Sequence, residues 1–157
     1  MKKLAKILTL VLVLCTVFAT FSTSCLGNTP DTEGTVTVVV GKENSFTEYR
    51  VNLADVNITE GVFSILKHLN ENEGLELQYQ DSAYGAYLTS AANMEYDAMA
   101  GEYVTVLTSV ESDFDTSLMF FKKDYKGVEL GSSGLGVSTM KVEDGATYMV
   151  TIATFEF

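Results

Sequence analysis

TVTVVVGKENSFTEYRVNLADVNITEGVFSILKHLNENEG, residues 35–74, carries three patterns in succession, and their order decides the fold class. Thr35 to Val40 is a β-branched run, the composition of a strand with both faces buried. Gly41 to Ser45 supplies a turn, after which Thr47, Tyr49, Val51 and Leu53 alternate with Glu48, Arg50 and Asn52. That period of two gives a second strand one mostly apolar and one polar face. The period then changes: Val62, Phe63, Leu66 and Leu69 recur at helical spacing, with Thr59 placed to cap the helix and Gly74 placed to end it. An opening hairpin followed by one amphipathic helix is predicted.

Towards the C-terminus the strand period returns. Leu75, Leu77 and Tyr79 alternate with Glu76, Gln78 and Gln80, and a second candidate strand runs from Tyr84 to Ser90. Tyr103 to Val110 is richer in β-branched residues, and Leu118 to Phe121 is a short apolar run. Tyr148 to Phe157 has apolar residues on both faces and suits a central strand, with the turn signal Asp144-Gly145 just before it. Hairpin, helix, then strands predicts an α+β domain with one helix packed on a mixed sheet.

Towards the N-terminus, Gly27 to Gly34 reads GNTPDTEG, with the chain's single proline and no aliphatic or aromatic side chain, a tether composition. Before it, Lys2, Lys3 and Lys6 precede an apolar run from Ile7 to Phe18, and Ser22, Thr23 and Ser24 lead to Cys25. These are the three parts of an export signal. With a cysteine at the cut they resemble a bacterial lipoprotein signal, which implies lipid on Cys25. Ser22 stands where that pattern usually has an aliphatic residue, so cleavage without lipidation is the alternative. An uncleaved span would need about 20 apolar residues, and Ser22 to Ser24 cut the run short. The expected organisation is a signal at 1–24, a tether at 25–34 and one domain at 35–157, held by lipid to a bacterial membrane outside the cytoplasm, at the cell surface or in the periplasm. Cys15 leaves with the signal, so no pair of cysteines remains for an internal disulfide.

Losing the three signal lysines takes the formal charge from −11 to −14. Such a surface repels phosphate backbones, which argues against nucleic acid as a partner, and contact with the membrane should come through the lipid alone.

The segments GVFSILKHLNENEG (61–74), GAYLTSAANM (85–94), GEYVTVLTSVESDFD (101–115) and LGVSTMKVEDGATYMV (135–150) resemble a bacterial lipoprotein domain of unknown function related to the C-terminal β-domain of transcobalamin and intrinsic factor. The resemblance runs from about residue 35 to the end and includes no catalytic signature. It implies a β-grasp, ubiquitin-like fold, in which a hairpin is followed by a helix lying across a sheet. It also implies a binding role. In the vitamin carriers the related domain closes over cobalamin held against a helical barrel. This chain is too short to contain that barrel, so one face of a corrinoid would need a partner to cover it.

Candidate chemistry is sparse. His68 is the only histidine, on the predicted helix beside Lys67, where a surface role explains it better than metal ligation. No nucleophile-elbow pattern surrounds any serine, so no catalytic residue, cofactor or enzyme activity is expected. Glu111, Asp113 and Asp115 alternate in VESDFDTS and, if extended, point to one side. They form a weak Ca²⁺ candidate, and a solvated strand end explains them more simply. GSSGLG, Gly131 to Gly136, reads as a flexible connection. Asn57-Ile58-Thr59 matches a glycosylation sequon, but helix capping accounts for Thr59. The aromatics leave a remainder: eight tyrosines and nine phenylalanines with no tryptophan. Tyrosine offers flat apolar area and a hydroxyl at low entropic cost, and Tyr84, Tyr87 and Tyr96 are the candidate ligand surface. The expected function is a membrane-anchored, non-enzymatic binding or interaction module, with capture of a corrinoid-like small ligand for a partner or transporter as the alternative.

Overall fold

The computed structural model describes residues 33–117 and 120–154. The expected signal, Cys25 and nearly all of the tether lie outside the described residues, as do Leu118, Met119 and the end of the terminal strand segment. Among the described residues no helix is long and apolar enough to cross a membrane.

The elements follow the order β1 (Thr35–Lys42), β2 (Ser45–Asn52), α1 (Gly61–Asn72), β3 (Gln78–Ser82), β4 (Gly85–Ser90), β5 (Glu102–Thr108), β6 (Lys122–Tyr125), β7 (Val128–Ser132) and β8 (Thr147–Thr154). Six strands form one sheet in the order β2-β1-β8-β5-β7-β6, while β3 and β4 pair separately. β1 and β8 run parallel and the other pairs antiparallel. Among the described residues the fold is therefore α+β with one α-helix and a mixed sheet, as the order of periods predicts.

Burial on both faces accounts for the uninterrupted valines of β1. Val36, Val38 and Val40 enter the core shared with α1, and Val39 enters a smaller core on the other face. β8 divides in the same way, with Tyr148 and Val150 on the helix side and Met149 opposite. The Asp144-Gly145 turn sets this pairing. Asp144 Oδ1 accepts the Thr35 N–H at 2.8 Å, the Gly145 N–H donates to the Thr35 carbonyl at 2.8 Å, and the Thr37 N–H donates to Ala146 O at 2.9 Å. Gly145 takes φ +74°, a conformation glycine adopts without steric cost.

α1 buries Val62, Phe63, Ile65, Leu66 and Leu69. Its N-cap is Glu60, which makes no side-chain capping bond; Thr59 does not cap it. Instead Ser64 Oγ reaches back and accepts the N–H groups of Thr59 and Glu60, at 3.2 and 2.9 Å. A missing cap costs about 1 kcal/mol, whereas each large apolar side chain buried contributes roughly 1.5–3 kcal/mol, so tertiary packing holds the helix. Gly74 follows the helix at φ +67°, as its expected stop role requires.

Four other expectations are corrected. Gly41 lies within β1, paired with Phe46, and the turn shrinks to Glu43 and Asn44. A Cβ on Gly41 would meet Ser45 O at 1.9 Å and the Phe46 ring at 2.9 Å, so the glycine marks close approach in a strand. Leu75 and Leu77 are buried, yet pairing begins only at Gln78. β6, with Lys122, Lys123 and Asp124, has no apolar alternation and was not expected as a strand. Gly131 and Ser132 belong to β7, so GSSGLG is only in part a connection.

The sheet curls. β2 and β6 stand at opposite ends of the strand order, yet the Phe46 and Tyr125 rings meet edge to face at 5.6 Å. Lys123 lies 4.6 Å from the Phe46 ring centre, and Lys126 on the β6–β7 turn pairs with Glu48 on β2. The curl encloses Val39, Leu107, Leu130 and Met149, giving the face opposite α1 a core of its own. Gly131 permits part of it: a Cβ there would stand 2.7 Å from Phe120 and 2.9 Å from Phe114, whose rings pack at 5.4 Å. Gly131→Ala is expected to destabilise the protein by about 1–3 kcal/mol through overpacking, measured by urea unfolding, whereas Gly74→Ala meets open space and is opposed only by its positive φ.

Candidate functional site

The separate hairpin carries the exposed aromatic surface. Residues 75–77 bring the chain back from α1, with the Leu77 N–H donating to Asn70 Oδ1 at 2.8 Å. Leu77 and Leu88 enter the helix-side core, and Tyr79 meets Phe63 edge to face at 4.8 Å. At the tip, Ser82 Oγ accepts the Tyr84 N–H and donates to Gly85 O, at 3.1 and 2.7 Å, closing a turn over Ala83 and Tyr84. The Ala86 N–H donates to Ser138 Oγ at 3.0 Å, fastening the hairpin to the connection between β7 and β8.

This arrangement holds Tyr84 and Tyr87 outward, 90% and 54% exposed. Beside them a groove of about 200 Å³ separates β4 from β5. Tyr87 and Leu88 line it from β4, Tyr103, Val104 and Val106 from β5, and Leu135 from the connection. Burial, and then the proximity of Tyr87, push the Tyr103 phenol above its usual range. Tyr84 and Tyr87 thus come together on one hairpin. Tyr96 is also exposed but sits on the connection from β4 to β5, near the end where Glu102 accepts the Asp97 N–H at 2.8 Å and pairs with Lys42. Tyr96 does not line the groove, and Leu135 and Tyr103, which do, were not singled out from sequence.

The acidic triplet does not gather. Glu111–Asp113 forms a turn of 3-10 helix instead of extended chain. Asp113 is 2% exposed, and its Oδ2 accepts the Lys141 N–H at 2.6 Å. Asp115 binds the N–H and hydroxyl of Ser117, at 2.8 and 2.9 Å, and Glu111 is exposed. Among the described residues no group of three or more histidine, cysteine or acidic side chains is placed to hold a metal ion. A polar hollow of about 480 Å³ between Ser109–Ser112 and Glu143–Ala146 is larger than the tyrosine groove but carries little apolar surface. Tyr148 is fully buried, donating to Lys141 O at 2.8 Å and accepting the N–H of Glu143, which lines the hollow, at 3.2 Å. Burial drives its phenol well above the usual range. His68 lies half-buried on α1 beside Asn72, whose Nδ2 is 3.3 Å from its Nδ1.

No family model matches the chain, and no curated protein does. Solved structures do. A protein of Ruminococcus gnavus ATCC 29149, provisionally named a metal-binding protein, is similar at TM-score 0.51 and 13% identity over 79% of this chain and all of its own. Haptocorrin in complex with Cbi is similar at TM-score 0.50 and 15% identity over 78% of this chain, which spans only 25% of haptocorrin. At these identities the likeness is one of fold alone.

Asp113→Ala is expected to cost about 1–3 kcal/mol in urea unfolding, because it removes a charged acceptor from the partly buried Lys141 N–H and empties a buried position. Glu111→Ala, at an exposed position, should stay within about 0.5 kcal/mol.

Proposed function

We propose that this chain is a non-enzymatic binding module of the β-grasp type, a transcobalamin-like domain anchored by lipid at Cys25 to the outer side of a bacterial membrane. The strand order β2-β1-β8-β5-β7, with a helix following the first hairpin, supports the fold reading. The signal pattern ending at Cys25 supports the anchor, and the tether composition of residues 27–34 lets the domain stand clear of the bilayer. Acyl chains hold such a protein by adding about 0.8 kcal/mol per buried methylene.

One observation carries the binding role: two exposed tyrosines on a fastened hairpin, beside a groove lined by apolar and aromatic side chains. A ring exposed to this degree leaves apolar area in water, and a surface that does so on a rigid support fits a partner of matching shape. The groove brings no acid, base or nucleophile pair together, which favours binding over catalysis. A second reading, capture of a corrinoid-like ligand for delivery to a partner or transporter, draws on the likeness to haptocorrin in complex with Cbi. A groove of about 200 Å³ falls below the 300–1,000 Å³ usual for small-molecule pockets. A corrinoid would therefore lie across the hairpin, with a second protein over its other face.

The test is a thermal-shift screen of the full chain against corrinoids, glycans, peptides and Ca²⁺. A ligand at about 100 times its dissociation constant adds about 2.7 kcal/mol of stability. The shift should disappear in Tyr84→Ala and Tyr87→Ala, which leave the unliganded midpoint unchanged. A shift that survives both substitutions moves the site elsewhere, and detectable turnover abolished by one polar substitution overturns the non-enzymatic reading. For the anchor, Cys25→Ala is expected to move the protein from membrane to soluble fractions; unchanged membrane association counts against lipidation.

A further inference from the structure

The tyrosine groove lies between strand edges, not on a sheet face. Val104, Thr105 and Val106 are consecutive in β5, and side chains of consecutive strand residues point to opposite faces. A cavity that touches all three therefore touches the strand along its edge. Ala86, Tyr87 and Leu88 of β4 meet the groove in the same way.

Topology leaves the β5 edge without a strand partner, and Val104 and Val106 there are 6% and 8% exposed, so the edge is reached only narrowly. β8 pairs along β5 from Glu102 to Thr108 on one side, but on the other side β7 reaches only Leu107 and Thr108 before the chain turns away at Ser133. Among the described residues no strand pairs with Val104–Val106 on that side. β4 stands opposite with its own outer edge turned the same way. The Ala86 N–H points away from β3 to Ser138, and by strand alternation the Leu88 N–H lies on that side too. None of the twelve lining residues is charged at pH 7, in a chain of formal charge −11.

We propose that this slot takes an extended, uncharged peptide segment that adds as a short strand to the Val104–Val106 edge of β5, with an apolar side chain seated between Tyr87 and Leu135. The inference rests on the groove being the binding site and names the class of its partner. Backbone donors and acceptors along an open edge supply affinity in this mode, and side-chain pockets supply selectivity. An acidic segment would bring its charge into a strongly acidic molecule, and any charged side chain would lose hydration against Leu88, Val104 and Val106 without a counter-charge.

The probe is an array of capped, uncharged hexapeptides alternating valine or tyrosine with threonine, tested on the full chain in detergent by fluorescence polarisation and amide hydrogen exchange. Binding is expected with slowed exchange in residues 104–106. N-methylation of the peptide amides that face β5 should weaken binding roughly tenfold or more, the equivalent of about one hydrogen bond. Leu135→Glu and Tyr87→Ala, both at exposed positions, should each weaken it, while Met99→Ala, fully exposed on the β4–β5 connection, should not. Peptide binding that ignores N-methylation, or that protects other residues, overturns the strand-addition inference. If no peptide binds but a corrinoid or glycan stabilises the protein in a Tyr87-dependent way, the inference fails and the binding reading stands. If nothing binds in either assay, both fall.

Discussion

The parallel pairing of β1 with β8 is the constraint on which the rest of this structure depends. It joins a strand at the start of the domain to one near its end, at the centre of a six-stranded sheet. No tight turn can make a parallel pair, so the chain between must form a long crossover. The helix, the separate hairpin and four more strands all lie within that crossover. The pair is secured where it begins, by Asp144 and Gly145 gripping both backbone groups of Thr35. A side-chain acceptor fixed beside a positive-φ glycine sets the register of two central strands, and a slip of one residue would exchange their helix-facing and outer side chains.

From that centre the two faces are satisfied differently. α1 covers one face with five apolar side chains. Among the described residues the other face meets no helix and is covered by the sheet's own curvature, which brings Phe46 and Tyr125 from opposite edges into contact. The same closure shields the edge strands, whose exposed backbone would otherwise invite pairing with other chains. Lysines over aromatic rings and the Lys126–Glu48 pair finish the seam at the surface, where ion pairs individually contribute little. The seam is therefore held chiefly by ring packing.

The hairpin of β3 and β4 stays outside this closure. Its apolar residues join the helix-side core, yet it pairs with neither edge of the main sheet, and the space it leaves beside β5 becomes the groove. A hairpin fixed by Ser138 and by Tyr79 on Phe63 presents Tyr84 and Tyr87 from a supported base. Held rings lose less freedom on binding than mobile ones, which is where the recognition value of such a surface lies.

The sequence by itself determined the elements whose pattern is local: the valine run of β1, the alternation of β2, the helical spacing of α1, the central character of β8 and the turn at Asp144-Gly145. It also marked Tyr84 and Tyr87, because surplus tyrosines signal exposed area without needing a partner in the chain. Only the tertiary structure decided the remainder. Lys122 to Tyr125 becomes a strand because β7 and the curl offer it pairing and Phe46, not because its own pattern demands one. Asp113 turns inward because Lys141, 28 residues on, presents an N–H that must be satisfied, which no spacing within VESDFDTS could reveal. Gly41 and Gly131 mark aromatic rings approaching from other segments, where sequence reads only turn or linker. The groove exists because β7 stops pairing at Ser132 while β5 continues. Periodicity records which face of an element is buried, whereas these features depend on which distant segment arrives there.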